Sequence, residues 1–292
     1  MIRSIRSILP VAGLLVSAAV VEAQTVTAYA LSTHSTGVQQ LVRFNPNAPG
    51  TVTTVGGTGV NLTDIDFRPL TNTLYGYDGD RLYTVDLNTG VATLAFDVNN
   101  TTGMSGVDFN PVADRFRVTD FIGNTYRINQ LTGATTVDGA YMFAMGDVNF
   151  GRTPRLTSVA YTNSDNDPAT GTTLYAIDPT LGQLILVGNP NGGAINTVGT
   201  GLGIGSIASV TGFDIFSSSN MAYFSAILTG SMTNNFYSLN LNSGVATLIG
   251  GIPGNRVTGL ALTNVPEPGT WALMVTGLIG LGGIARRRAK KA

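Results

Sequence analysis

The amino-acid sequence predicts an all-β body, a five-bladed propeller closed by its own last strand, on three observations. A unit of short alternating strands recurs along the chain. No stretch of the body sustains the 3.6-residue period of an amphipathic helix. The two ends of the body supply complementary parts of one further unit.

The clearest unit runs from Thr63 to Phe96 (TDIDFRPLTNTLYGYDGDRLYTVDLNTGVATLAF), and a second from Ser105 to Val137. A third spans Thr157 to Gly188 and a fourth, more irregular, Thr211 to Gly250. Their anchors Asp66, Asp108, Ala160 and Asp214 lie 42, 52 and 54 residues apart, a spacing that fits propeller blades or another repeat array. Within a unit, residues such as Leu74-Tyr75 and Leu82-Tyr83 sit in short alternating runs bounded by turn residues. The turn Asn88-Thr89-Gly90 recurs as Leu131-Thr132-Gly133 and Asn242-Ser243-Gly244, with glycine where a tight hairpin needs a positive φ.

Thr258 to Leu262 reads as a first strand with nothing after it, and Thr25 to Gly56 as strands two to four lacking a first. Joined, they make a fifth blade and remove the exposed sheet edges of an open array. A pair of β-sandwiches is the alternative arrangement.

Both ends of the chain read as addresses. Arg3 and Arg6 precede an apolar stretch from Ile8 to Val21, and Val21-Glu22-Ala23 offers small residues to a signal peptidase. Residues 1–23 are therefore expected to be a signal peptide cut between Ala23 and Gln24, an uncleaved anchor being the alternative. The body then covers 24–264. Residues 265–292 hold Val265-Pro266-Glu267-Pro268, an uncharged run from Trp271 to Ala285 within an expected transmembrane span 270–285, and a basic tail 286–292. The prolines keep the motif extended and accessible. The 15-residue run covers roughly 22 Å as a helix, short of the roughly 30 Å bilayer core, and so suits a temporary anchor. Arg286, Arg287 and Arg288 stop transfer.

That order of parts resembles the PEP-CTERM sorting signal of Gram-negative bacteria. The resemblance implies that an exosortase, an integral-membrane cysteine-type transpeptidase, cuts near the Pro-Glu-Pro motif, and that the protein travels with extracellular polysaccharide or biofilm material. The body is also similar to a bacterial domain family of unknown function that often accompanies this signal. The similarity rests on Asp66 to Pro69, Leu82 to Asp86, Ala160 to Asn163, Asn196 to Gly199 and Gly212 to Ile215. It implies no chemistry.

Composition narrows function by exclusion. Both Lys residues lie in the tail, and the body carries nine Arg against fifteen Asp, a net charge of −6. Such a body repels phosphate backbones, so nucleic acid is not an expected partner. There is no cysteine, and the one histidine, His34, sits in a polar loop without a nucleophile elbow, so a Ser-His-Asp hydrolase is not expected. Zinc ligands are missing, and no cofactor is expected.

Asp66, Asp108 and Asp214 occupy matching positions on first strands, which lie nearest a propeller axis, and are the candidate axial residues. They either converge on a channel or bond turn and neighbouring-strand amides as part of the repeat. Asp165 and Asp167, in Asn163-Ser164-Asp165-Asn166-Asp167-Pro168, are the candidate Ca²⁺ ligands; without the spacing of an EF-hand, the loop reads first as a solvated turn. Gly201 to Gly205 reads as a blade connection.

The expected function is that of an exported, exosortase-processed surface or extracellular-matrix protein with a non-catalytic binding or structural propeller. A propeller glycoside hydrolase or a lectin-like module acting on extracellular polysaccharide is the alternative. Expected partners are signal peptidase, exosortase, the inner membrane in passing, and extracellular polysaccharide.

Overall fold

The computed structural model describes residues 26–98, 104–165, 167–217, 219–254 and 256–263. The expected signal peptide with its Ala23/Gln24 cut, the motif Val265 to Pro268, the span and the arginine tail lie outside the described residues. Among the described residues no helix is long and apolar enough to cross a membrane.

Among the described residues twenty-one strands follow in chain order. β1 (Thr27–Thr33), β2 (Gln39–Phe44) and β3 (Val52–Gly57) precede the first complete blade, β4 (Asp64–Arg68), β5 (Thr73–Tyr77), β6 (Arg81–Val85) and β7 (Ala92–Asp97). The second blade is β8 (Met104–Asn110), β9 (Arg115–Asp120), β10 (Thr125–Ile128) and β11 (Thr135–Val137). A two-residue strand β12 (Met142–Phe143) leads into the third: β13 (Ser158–Tyr161), β14 (Leu174–Asp178), β15 (Gln183–Asn189) and β16 (Ala194–Val198). The fourth is β17 (Ile207–Phe216), β18 (Met221–Leu228), β19 (Asn234–Leu239) and β20 (Ala246–Ile252), and β21 (Arg256–Thr263) ends the series.

The four main strands of each blade form an antiparallel meander, and the last strand closes the ring. β21 pairs with β1 from Thr27↔Thr263 to Thr33↔Arg256, giving a fifth blade ordered β21-β1-β2-β3. The inner strands β21, β4, β8, β13 and β17 pack on one another in sequence around the axis. This is the predicted propeller, and the sandwich alternative is excluded. Register shifts occur in every blade, and the larger departures are in the third and fourth. The fourth blade bulges twice in β17, whereas the third carries the extra strand β12, parallel to β16, and a short 3₁₀ turn at Pro168–Thr170.

Apolar side chains alternate with polar ones along the strands and are buried between blades rather than within one central core. Four clusters join consecutive blades, with contacts such as Tyr29 against Phe67 (centroids 5.5 Å), Tyr75 against Phe109 (5.2 Å) and Phe44 against Phe236 (5.3 Å). The fifth cluster packs the third blade on Tyr141, Phe143 and Leu156 of the incoming segment. The turn from third to fourth strand opens in every blade with Asn or Asp, at Asn45, Asp86, Asn129, Asn189 and Asn240. In each case the side-chain oxygen accepts a backbone N–H two or three residues on. In the first blade that turn packs on the outer strand of its neighbour: a Cβ on Gly56 would lie 1.9 Å from the Thr89 carbonyl oxygen.

Candidate functional site on the propeller axis

The axial site is built by the first strand of each blade. In β4, Asp64 and Asp66 stand two residues apart on one strand face, and alternation turns both inward. The position of Asp66 is filled by Asp108 in β8, Ala160 in β13, Asp214 in β17 and Ala261 in β21, all buried. The ring therefore reads Asp, Asp, Ala, Asp, Ala around the axis. Asp66, Asp108 and Asp214 bring carboxylate oxygens within 4.8 Å of one another.

The structure combines proximity with hydrogen bonding at these residues. The three converge, and they also bond neighbouring strands. Asp66 Oδ2 accepts from the Phe109 N–H at 2.6 Å, and Asp214 Oδ2 accepts from the Leu262 N–H. Asp108 takes the Tyr161 N–H. Each aspartate thus satisfies the inner strand of the next blade. Asp64 adds a parallel bond two residues earlier, from the Val107 N–H at 3.0 Å.

The electrostatics are one-sided. Burial raises all four carboxyls, bringing Asp64 and Asp214 to about 7 and placing Asp66 and Asp108 well above the usual carboxylate range. The negative charge of Asp214 raises Asp66 further, and that of Asp66 raises Asp108. Backbone N–H donors pull the other way, and among the described residues no ion pair reaches the group. One oxygen, Asp108 Oδ1, is buried with no hydrogen-bond partner.

A cavity of about 250 Å³ opens onto the cluster. Asp66 and Asp214 line it, and Asn72, Asp165, Ser217 and Thr263 belong to its polar wall. Asp165 therefore lies near the axis, but its carboxylate caps its own loop: Oδ1 accepts from the Asp167 N–H at 2.9 Å and from Thr170 Oγ1 at 3.1 Å. Asp167 caps the 3₁₀ turn through Ala169. Asn163 in turn exchanges two hydrogen bonds with Asn220 of the fourth blade. This loop is a self-satisfied turn. Among the described residues the His34 ring meets the hydroxyls of Thr36 and Ser35 and the Thr36 N–H, in an exposed hairpin. The Gly201 to Gly205 stretch connects β16 to β17, with Leu202 packed in the core.

Sequence reasoning missed two features. Asp64 was signalled by the Asp-Ile-Asp alternation itself. Arg117 carried no signal beyond its place as one of several polar residues in β9 (RFRVTD). Its side chain is fully buried between the second and third blades. Its Nε donates to Tyr161 Oη at 2.7 Å, Nη1 to Thr125 Oγ1 at 2.7 Å and Asp138 Oδ2 at 3.1 Å, and Nη2 to Asn191 Oδ1 at 2.7 Å. A polar network here replaces the apolar contact found between other blades.

Fold and site together define a closed five-bladed propeller with an acidic, desolvated axis. The chain belongs to the family described as Domain of unknown function (DUF4394), which matches residues 20–261. A PEP-CTERM protein-sorting motif matches residues 264–289, so this is an exported protein with a propeller body, sorted at the membrane by an exosortase. No curated protein matches the chain. Among solved structures, a structural-genomics protein of unknown function from Bacteroides thetaiotaomicron is similar at a TM-score of 0.52 and 14% identity, over 83% of this chain and 62% of that one. A chain of a nidogen/laminin complex is similar at a TM-score of 0.48 and 13% identity, over 81% and 80% of the two chains. These likenesses concern the fold alone.

Proposed function

We propose that this protein is an exosortase-processed component of the cell surface or extracellular matrix of a Gram-negative bacterium, with a propeller that binds or scaffolds extracellular polysaccharide and performs no catalysis. One observation carries the non-catalytic reading: the axial carboxylates are engaged as blade-to-blade hydrogen-bond acceptors. The sorting motif supports the surface destination.

The second reading, a polysaccharide hydrolase, is favoured by a single feature: Asp66 and Asp214 face an open cavity with raised carboxyl pKa. A panel of extracellular glycans separates the two. The expected result is retention of the parent protein on polysaccharide without release of sugars. Hydrolysis by the parent that disappears in a folded Asp66→Asn variant would overturn the non-catalytic reading. For the tail, Glu267→Ala or removal of Arg286 to Arg288 is expected to leave uncut protein in the membrane. A normal mature mass from both variants would refute exosortase processing.

A further inference from the structure

Charge balance at the axis is unresolved by the protein's own residues. Asp66, Asp108 and Asp214 crowd their oxygens within 4.8 Å, each residue is at least 94% buried, and Asp64 adds a fourth carboxyl beside them. Backbone N–H donors and the carboxylates themselves act on them most strongly, and among the described residues no ion pair includes them. Buried carboxylates are kept only when paired, metal-bound or neutralised by a proton. Independently of that crowding, Asp108 Oδ1 is buried without any donor, an acceptor that the polypeptide leaves unused. An orphaned buried acceptor costs stability unless something outside the chain meets it.

We propose that Asp66, Asp108 and Asp214 form a binding site for one hard divalent cation, Ca²⁺, on the propeller axis. Three features of the donor set specify the ion. All donors are carboxylate oxygens, which suit hard cations and not zinc or copper. These oxygens, all within 4.8 Å of one another, lie inside the span of roughly 4.6–5.2 Å that twice the Ca–O distance sets as the limit across one ion. A carboxylate oxygen that accepts one N–H keeps a second lone pair, so the blade-to-blade bonds of Asp66 and Asp214 survive coordination. Calcium takes six to eight oxygens. The positions that three aspartates leave open face the cavity that Asp66 and Asp214 line, where water or a hydroxylated ligand completes the shell.

The role follows from the position. One ion held by the first, second and fourth blades ties three inner strands together and replaces mutual repulsion with attraction. Asp165 and Asp167 take no part: among the described residues the carboxylates that converge are those of Asp66, Asp108 and Asp214.

The test uses the full chain in detergent, stripped with EDTA and titrated with CaCl₂ at neutral pH. Calorimetry is expected to give one Ca²⁺ per chain. At about 100-fold excess over Kd the Tm is expected to rise by roughly 5–10 °C. Asp108→Asn and Asp66→Asn are each expected to weaken binding by at least about tenfold and remove the Tm shift, with the far-ultraviolet circular dichroism unchanged; Asp165→Asn is expected to bind as the parent does. Absence of heat and of a Tm shift in the parent up to about 5 mM Ca²⁺, above the roughly 0.1–1 mM range of extracellular calcium modules, would overturn the proposal and leave the cluster neutralised by protons. Parent-like binding by Asp108→Asn, or its loss in Asp165→Asn, would equally overturn it. The parent titration decides even where a variant does not fold.

Discussion

Asp66 Oδ2 accepts a 2.6 Å hydrogen bond from the backbone N–H of Phe109, so a side chain of the first blade completes the inner strand of the second. Charge is not needed for this bond, only an oxygen of the right reach. In EDTA, Asp66→Ala is therefore expected to lower unfolding free energy by about 1–3 kcal/mol, since it strands the Phe109 donor. Asp66→Asn keeps the acceptor and relieves repulsion from Asp214, so its stability should match or exceed the parent's. Urea denaturation of the pair checks this, and equal losses would contradict it.

Stability of the calcium-free protein should fall as pH rises from about 4 to about 7. Burial lifts Asp64 and Asp214 to about 7, so the native state holds protons that the unfolded chain releases near pH 4. The native state binds more protons across that window, and the slope of stability against pH is negative there. The groups facing this site are Asp64 and Asp66 of β4, Asp108 of β8 and Asp214 of β17, with alanines at the matching positions of β13 and β21. Asp114, held low by Arg68, works in the opposite sense, its contribution fading below the usual carboxylate range. Melting curves of parent and Asp64→Asn/Asp214→Asn across pH 4–8 should show the decline flattened in the variant. A parent Tm that climbs through this window would refute the assignment.

Arg117→Met should cost about 3–5 kcal/mol, because it strands several buried acceptors at about 1–3 kcal/mol each. The substitution removes donors from Tyr161 Oη, Thr125 Oγ1 and Asn191 Oδ1 and leaves Asp138 with Arg127 as its remaining ionic partner. Lys at this position cannot reproduce the planar fork and should recover only part of the loss. Guanidinium unfolding midpoints of the two variants measure the difference, and a loss below 1 kcal/mol, roughly that of an exposed pair, would show the network to be dispensable.

Gly56→Ala and Gly199→Ala should each destabilise by roughly 1–3 kcal/mol, because the added Cβ would lie 1.9 Å from a backbone oxygen of the neighbouring blade's turn, Thr89 O and Ser243 O respectively. Gly199 also has φ +64°, which adds strain for an L side chain. Gly188→Ala, where nothing lies within 4 Å, is the control and should be near neutral. Thermal melts compare the three, and a silent Gly56→Ala would mean that the turn does not bear on blade packing.

Much of this architecture is legible in particular residues. The Asp66, Asp108, Ala160, Asp214 spacing marked the inner strands because each blade repeats one local solution to strand pairing. Thr258 to Leu262 announced the closing strand because an unpaired first strand has no other partner in the chain. Less was visible where the contact is distant. Met142–Phe143 is too short to show a period, and its partner β16 lies some fifty residues on. Arg117 reaches Tyr161 and Asn191, 44 and 74 residues away, and nothing local to Arg117 announces either.

The sequence by itself determined the strand pattern, the hairpin turns, the closing strand and the sorting motif, because each depends on residues near one another in the chain or at a fixed period. Only the tertiary structure decided what the repeated aspartates become. Alternation turns each of them inward, but their separation, the two alanine gaps in the ring and the exclusion of water arise when five blades close on one axis. Closure converts three ordinary surface-type carboxyls into a desolvated cluster, since distance and dielectric, not residue type, set how strongly like charges act on one another.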